Sequence, residues 1–294
     1  MMSKNTSEES ARHFVMKKAN VIILAGQSNA VGVGFTKYLP KYFDDSMIAR
    51  FKAGYENIQI AYMSHDIVSD GFVRTTINCT ERSKDTLGPE VGIAKNLTER
   101  YPQERFFIIK CAFGGTNLYS DWRSPGSGVP YDENLVAEPA KAINDAAFRF
   151  PGWCYNCFVK WVKGSLAKLE QLGYAPSIVG FCWMQGEADA TAEKNAAAYI
   201  DRYDALLRDI RSAFAPYFED CKFIDGGISK QYPFYERINR EKANYDAAHG
   251  YQYLDTIGEG LTTHKEPEEA PDLPHYDCGS VVRLGEMFAR KINL

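Results

Sequence analysis

The chain has 294 residues, of which 45% are hydrophobic, 13% aromatic and 24% charged. This composition belongs to a folded globular protein and excludes disorder as the dominant state. The 34 Lys and Arg residues against 38 Asp and Glu give a net charge of -4, so no basic excess exists to neutralise nucleic-acid phosphates. Apolar runs such as Val21 to Ala25 fall far short of the ~20 residues a membrane-crossing helix needs. Neither nucleic acid nor a membrane is an expected partner.

Residues 1–19 are polar and charged and read as a loose leader, with 20–294 as one domain. The leader lacks the apolar core of a secretory signal. Seven cysteines, an odd number spread along the chain, suit reduced thiols better than a disulfide framework. Both observations point to the cytoplasm; a secreted chain whose signal has been removed is the alternative. Three glycosylation-type triplets, beginning at Asn5, Asn78 and Asn96, carry meaning only with secretion.

The first structured element is Val21-Ile22-Ile23-Leu24-Ala25, a continuous apolar run expected of a strand buried on both faces. Ile58 to Met63 is a weaker strand. Gly88-Pro89-Glu90 opens a helix through Val91, Ala94 and Leu97, with Pro102 beyond its end. Arg105 to Cys111 is the next strand, followed by a loop rich in Gly, Ser and Pro from Gly114 to Pro130. Helical spacing returns from Tyr155 to Leu172 and closes on Gly173. Ile178 to Met184 is another buried strand. Residues 192–214 predict one long amphipathic helix with Tyr199, Tyr203, Leu206, Leu207 and Ile210 on one face. Strands follow at Lys222 to Asp225 and near Tyr251 to Thr256, and a helix from Ser280 to Ile292 ends the chain. Alternating strands and helices make this an α/β chain with a mainly parallel sheet.

Ligands of such sheets bind beyond the carboxyl ends of the strands. Three loops there carry candidate chemistry. Gly26-Gln27-Ser28-Asn29-Ala30 offers a serine in a tight turn, or else a polar helix cap. It is not a G-x-S-x-G elbow, because residue 30 is Ala. Phe113-Gly114-Gly115-Thr116-Asn117-Leu118, with Trp122 close behind, offers backbone N–H donors or a plain turn. Gln185 leaves a buried strand and can aim a carboxamide into a pocket; with Glu187 and Asp189 behind it, a helix start is the other reading. Before the last helix, Asp272-Leu273-Pro274-His275 spaces a carboxylate to orient an imidazole, leaving its second nitrogen as a base. Taken in order, these segments supply a nucleophile, oxyanion donors, an orienting acid and a base for acyl transfer.

The same segments, with Gly88-Pro89-Glu90, Trp122 and Trp183-x-Gln185-Gly186-Glu187, resemble the SGNH hydrolase superfamily. The resemblance is closest to the sialate O-acetylesterase-like carbohydrate acetylesterases, carbohydrate esterase family 6, and runs from about residue 20 to 292. It implies a three-layer α/β/α sandwich and metal-free, cofactor-free hydrolysis of O-acetyl esters on a carbohydrate. It implies Ser28 as nucleophile, His275 as base and Asp272 as its partner. The Ser28 N–H, the Gly115 N–H (or that of Gly114) and the Gln185 amide would form the oxyanion hole. Gln27, Asn29, Gly114, Thr116 and Glu187 would bind substrate or support the site. Ala30 stands where the family often has Met. The alternatives are a carbohydrate-binding protein that has lost catalysis and a short-chain acyl esterase or thioesterase.

Other features receive plainer readings. Trp153-Cys154-Tyr155-Asn156-Cys157 has the form of a redox motif, yet no strand leads into it, so buried thiols are expected. His65, His249 and His264 are read as packing or surface residues. Glu266, Glu268 and Glu269 are read as a solvated acidic loop, and Tyr232, Phe234 and Tyr235 as core aromatics that could stack on a sugar.

Overall fold

In the computed structural model of the protein, residues 16–64, 67–77, 85–132, 134, 145–218 and 220–294 are described. The run Val21 to Ala25 forms the centre of β1 (Lys17–Gly26), buried from Ala19 onward. The strand starts inside the expected leader, at Lys17. The rest of that leader up to residue 15 lies outside the described residues, as do His65 and the triplet at Asn78. Five strands run parallel with β1: β2 (Ile58–Ser64), β3 (Phe106–Ala112), β4 (Tyr174–Met184), β5 (Lys222–Gly226) and β6 (Gln252–Leu254). Their order across the sheet is β6-β5-β4-β1-β3-β2. Two short strands, Ile67–Val68 and Val73–Arg74, pair antiparallel with β2.

The helices are α1 (Ser28–Val31), α2 (Asp45–Ala53), α3 (Glu90–Arg100), α4 (Trp153–Gln171), α5 (Glu193–Ala197), α6 (Tyr199–Ala213), α7 (Tyr235–His249) and α8 (Cys278–Arg290). Neighbouring residues of β4 mark the two covered faces. A Cβ on Gly180 would meet Ile292, just past α8, at 2.7 Å. Phe181 turns the other way and packs its ring 6.2 Å from that of Phe158 in α4. The sheet is therefore a middle layer between helices, which explains why its strands read as continuous apolar runs.

Three expectations need adjustment. The helix predicted over 192–214 is broken at Ala198 into α5 and α6. Helix α2 was not anticipated; Asp44 caps it by accepting from the Met47 N–H at 2.8 Å. Helix α7 was missed because its buried positions are Ile238, Lys242 and Asp246, two of them charged. No helix among the described residues is long and apolar enough to cross a membrane.

The strand order reverses beside β1, since the chain builds β2 and β3 on one side and then crosses to β4 on the other. That reversal opens a crevice beyond the carboxyl ends of β1, β3 and β4. The three loops singled out in the sequence leave the sheet there.

Candidate active site

Gly26 ends β1 at φ +140, and a Cβ there would meet the Met184 carbonyl oxygen at 1.9 Å. Only glycine lets the two strand ends approach so closely. The chain then turns through Gln27, whose N–H donates to the Met184 carbonyl at 2.9 Å, and enters α1 at Ser28. A pocket of about 430 Å³ opens above, lined by Gln27, Ser28, Val31, Val33, Gly114, Gly115, Arg149, Ala188, Thr191, Tyr232, Pro274 and His275.

The second loop contributes Gly114 and Gly115 to this wall. Gly115 has φ +66, a left-handed turn that disfavours any side chain. Behind it, the Thr116 hydroxyl donates to the Phe113 carbonyl at 2.6 Å and accepts from the Trp122 indole at 2.9 Å. Thr116 is thus fully buried and supports the loop without reaching the pocket. Among the described residues, the Ser28 and Gly115 N–H groups make no backbone hydrogen bond.

His275 faces Ser28 from the last loop. Its Nδ1 lies 2.7 Å from the Asp272 carboxylate, and its backbone N–H donates to the Asp272 carbonyl at 2.9 Å. The Ser28 hydroxyl and the His275 ring line one pocket without a hydrogen bond between them. Such contacts commonly close only in the substrate complex.

Asn29 joins the serine helix to the histidine loop. Its Oδ1 accepts from the Tyr276 N–H at 3.0 Å, and its Nδ2 donates to the Pro274 carbonyl at 3.3 Å. The same Nδ2 donates to Glu187 at 2.8 Å, which fixes the orientation of the amide. Asn29 and Glu187 are both buried, and burial raises the Glu187 carboxyl above its ordinary range.

The expectation that Gln185 donates into the pocket is corrected by the geometry. Its side chain is fully buried and absent from the pocket wall. Its Nε2 donates to Asp189 at 2.7 Å, with the Gln27 Oε1 and the Thr116 carbonyl each 3.2 Å away. Two amide hydrogens facing three protein acceptors leave none for a ligand. Asp189 also accepts from the Leu118 and Tyr119 N–H groups, at 2.8 and 3.0 Å, and burial pushes its carboxyl up to about 6.

Glu266 is corrected as well. It is buried, accepting from the Tyr42 hydroxyl and the Cys278 N–H at 2.7 Å each, so it braces the start of α8 and the loop carrying His275. Glu268 and Glu269 are exposed, as expected. Tyr232 lines the pocket, whereas Phe234 packs against the core and Tyr235 bonds Glu236. Cys154 and Cys157 are buried; burial pushes the Cys157 thiol up to about 12 and Cys154 also upward, the reverse of a reactive pair. His249 stacks on Tyr245, and His264 is exposed outside the pocket. Among the described residues, no group of three or more His, Cys, Asp or Glu is arranged to hold a metal.

Sequence reasoning missed Arg149 and Thr191 in the wall, because neither belongs to a motif. It also missed two fully buried lysines behind the site. Lys110 pairs with Glu90 at 2.8 Å and donates to the Val31 carbonyl at the end of α1. Lys242 pairs with Asp225 at 2.7 Å and donates to the carbonyls of Gln185 and Gly226.

The model of the carbohydrate esterase, sialic acid-specific acetylesterase family matches residues 18–293. The chain belongs to this family of carbohydrate esterases. It is accordingly a carboxylic ester hydrolase. Among curated proteins, none matches the chain. Among solved structures, NanS is similar with a TM-score of 0.66 at 18% identity, over 93% of this chain and 95% of its own. A protein from Arabidopsis thaliana gives 0.60 at 19%, over 92% and 96%. A carbohydrate acetylesterase from Xanthomonas citri gives 0.57 at 14%, over 92% of this chain and 55% of the other. At these identities the likenesses show a shared fold.

Proposed function

We propose that this esterase removes acetyl groups from a carbohydrate by a serine mechanism. The observation that carries the reading is the His275–Asp272 pair opposite Ser28 in one pocket. Asp272 accepts from Nδ1–H and leaves Nε2 to act as base. As the Ser28 Oγ attacks the acetyl carbonyl carbon, its proton passes to His275. The carbonyl oxygen becomes an oxyanion, for which the Ser28 and Gly115 N–H groups are the backbone donors. The intermediate collapses, the bond to the sugar oxygen breaks, and that oxygen takes the proton from His275. Water then attacks the acetyl-serine with His275 again as base, and acetate leaves.

An acidic sugar of the sialic acid class fits the wall best. Arg149 is the one Lys or Arg among the described lining residues, and a guanidinium suits a carboxylate. Tyr232 lines the same pocket.

Acetate release is measured on acetylated sialic acid, acetylated xylan and p-nitrophenyl acetate. Ser28→Ala abolishes release from all three and leaves the fold intact. Arg149→Ala raises KM for acetylated sialic acid about tenfold, the worth of one charge-assisted contact of ~1.5 kcal/mol, and spares p-nitrophenyl acetate. Wild-type turnover by Ser28→Ala overturns the mechanism, and equal KM values in the Arg149 variant overturn the acidic sugar.

A further inference from the structure

We propose that a cavity between β2 and α4, apart from the active site, binds an amphipathic carboxylate, an acyl chain with an acidic head. The cavity measures about 350 Å³ and shares no lining residue with the pocket around Ser28.

Its floor is apolar. Ala61 and Met63 are two apart in β2 and so point to one face, where both line the cavity. Val68 pairs opposite Met63 in antiparallel register, which puts it on the same face, and it is 49% exposed. Phe72 adds a ring from the loop between the two short strands, and Trp161 adds one from α4.

Gly164 lies in the interior of α4, where glycine loosens a helix relative to alanine. The other glycines inside α-helices among the described residues are Gly92, Gly279 and Gly285. Packing requires each of them, because an added Cβ would come within 2.5 Å of a neighbour. A Cβ on Gly164 would meet nothing within 4 Å. No contact among the described residues therefore calls for glycine there. Its bare backbone deepens the cavity by the width of a side chain, which leaves room for a ligand.

Charge names the class of occupant. Lys160, Gly164 and Lys168 are spaced four apart and form one row along α4. Both lysines line the cavity, and among the described residues neither has an acidic partner. No Asp or Glu is among the described lining residues; Asp70 sits between Ser69 and Gly71 but stays out of the wall. An apolar trough with an ammonium toward each end suits an apolar body that carries a negative charge. Eight residues of helix set the lysines about 12 Å apart, room for an extended chain of roughly ten carbons. A carboxylate on either ammonium lays that chain over Gly164.

The test is calorimetric titration of the whole chain with decanoate below its micelle range, with decanol and acetate as controls. Wild type is expected to bind decanoate, to bind decanol about tenfold more weakly or worse, and to give no signal with acetate. Gly164→Leu fills the trough and is expected to abolish decanoate binding. Leucine favours a helix more than glycine does, so its melting temperature should not fall, and its turnover of p-nitrophenyl acetate should match wild type. Lys160→Gln combined with Lys168→Gln is expected to weaken decanoate about tenfold or more, the loss of a charge-assisted contact, and to leave decanol unchanged. Retained binding in a folded Gly164→Leu places decanoate elsewhere and overturns the proposal. Equal affinities for decanoate and decanol, or no effect of the lysine changes, overturn the acidic head. Absence of decanoate binding to wild type overturns the proposal outright. If light scattering then shows a dimer that Gly164→Leu dissociates, a second copy of the chain covers this face instead.

Discussion

Asn29 shows how one buried side chain can set the distance between Ser28 and His275, the proposed nucleophile and base. It follows Ser28 in sequence and holds the carbonyl before His275 and the N–H after it. Asn29→Ala leaves the Tyr276 N–H and Glu187 without these partners, and an unsatisfied buried polar group costs about 1–3 kcal/mol. The His275 loop also loses its tie to α1, and a misplacement near 1 Å can cost ~10²-fold in rate. Asn29→Ala is therefore expected to lower both the urea midpoint and kcat; an unchanged kcat would show that the loop holds its place without Asn29. At this scale order and spacing singled out Ser28 and Asp272-x-x-His275, and the fold brings Ser28 and His275 to one pocket with Asp272 bonded to the imidazole. The sequence misled where Gln185, at a strand end, was taken to face the ligand and where Glu266 was taken as part of a solvated loop. The Gln185 Nε2 and the Glu266 carboxylate are turned inward onto protein partners, among them Gln27, Thr116 and Tyr42, and partners distant in sequence leave no local pattern.

Helix α7 carries charge into the layer behind the site. Lys242 pairs with Asp225 of β5 and holds the Gln185 and Gly226 carbonyls, while Asp246 lies one turn further along. Burial, and then the neighbouring Asp225, push the Asp246 carboxyl up to about 8. The folded chain thus binds this proton more tightly than the unfolded chain, whose Asp titrates near ~3.9. Stability from this group is complete below about 4, the unfolded value, and is lost as pH rises through about 8. Asp246→Asn removes the titration, so its melting temperature should gain on wild type between pH 6 and pH 9. Melting curves across that range decide the point; parallel curves for the two proteins would remove Asp246 as the cause. The same charges hid α7 from a reading of apolar spacing, whereas β1, β3 and β4 were legible because a strand covered on both faces must be apolar throughout.

Across the whole molecule, the sheet order places three strand ends around one crevice, and a buried ion pair anchors α1, the helix that carries Ser28, to the central strands. Glu90 opens α3, Lys110 rises from β3, and both are fully buried. The sequence displayed Gly88-Pro89-Glu90 as a helix start. It could not display the partner, because a lysine inside an apolar run has no periodicity to mark it. The Lys110 ammonium spans Glu90 at 2.8 Å and the Val31 carbonyl at 2.5 Å, so it pins the end of α1 opposite Ser28. Removing one partner strands a charge in the core, which typically costs ~3–5 kcal/mol; removing both charges costs far less. Lys110→Met should therefore destabilise the protein by that amount in urea denaturation, and Lys110→Met with Glu90→Gln should recover much of the loss. Recovery of stability should not bring full recovery of kcat, because the bond to Val31 stays absent and α1 is freer to shift Ser28. Equal stability losses in the single and double variants would show no coupling between the two charges. Full activity in the double variant would show that α1 holds its place without the lysine.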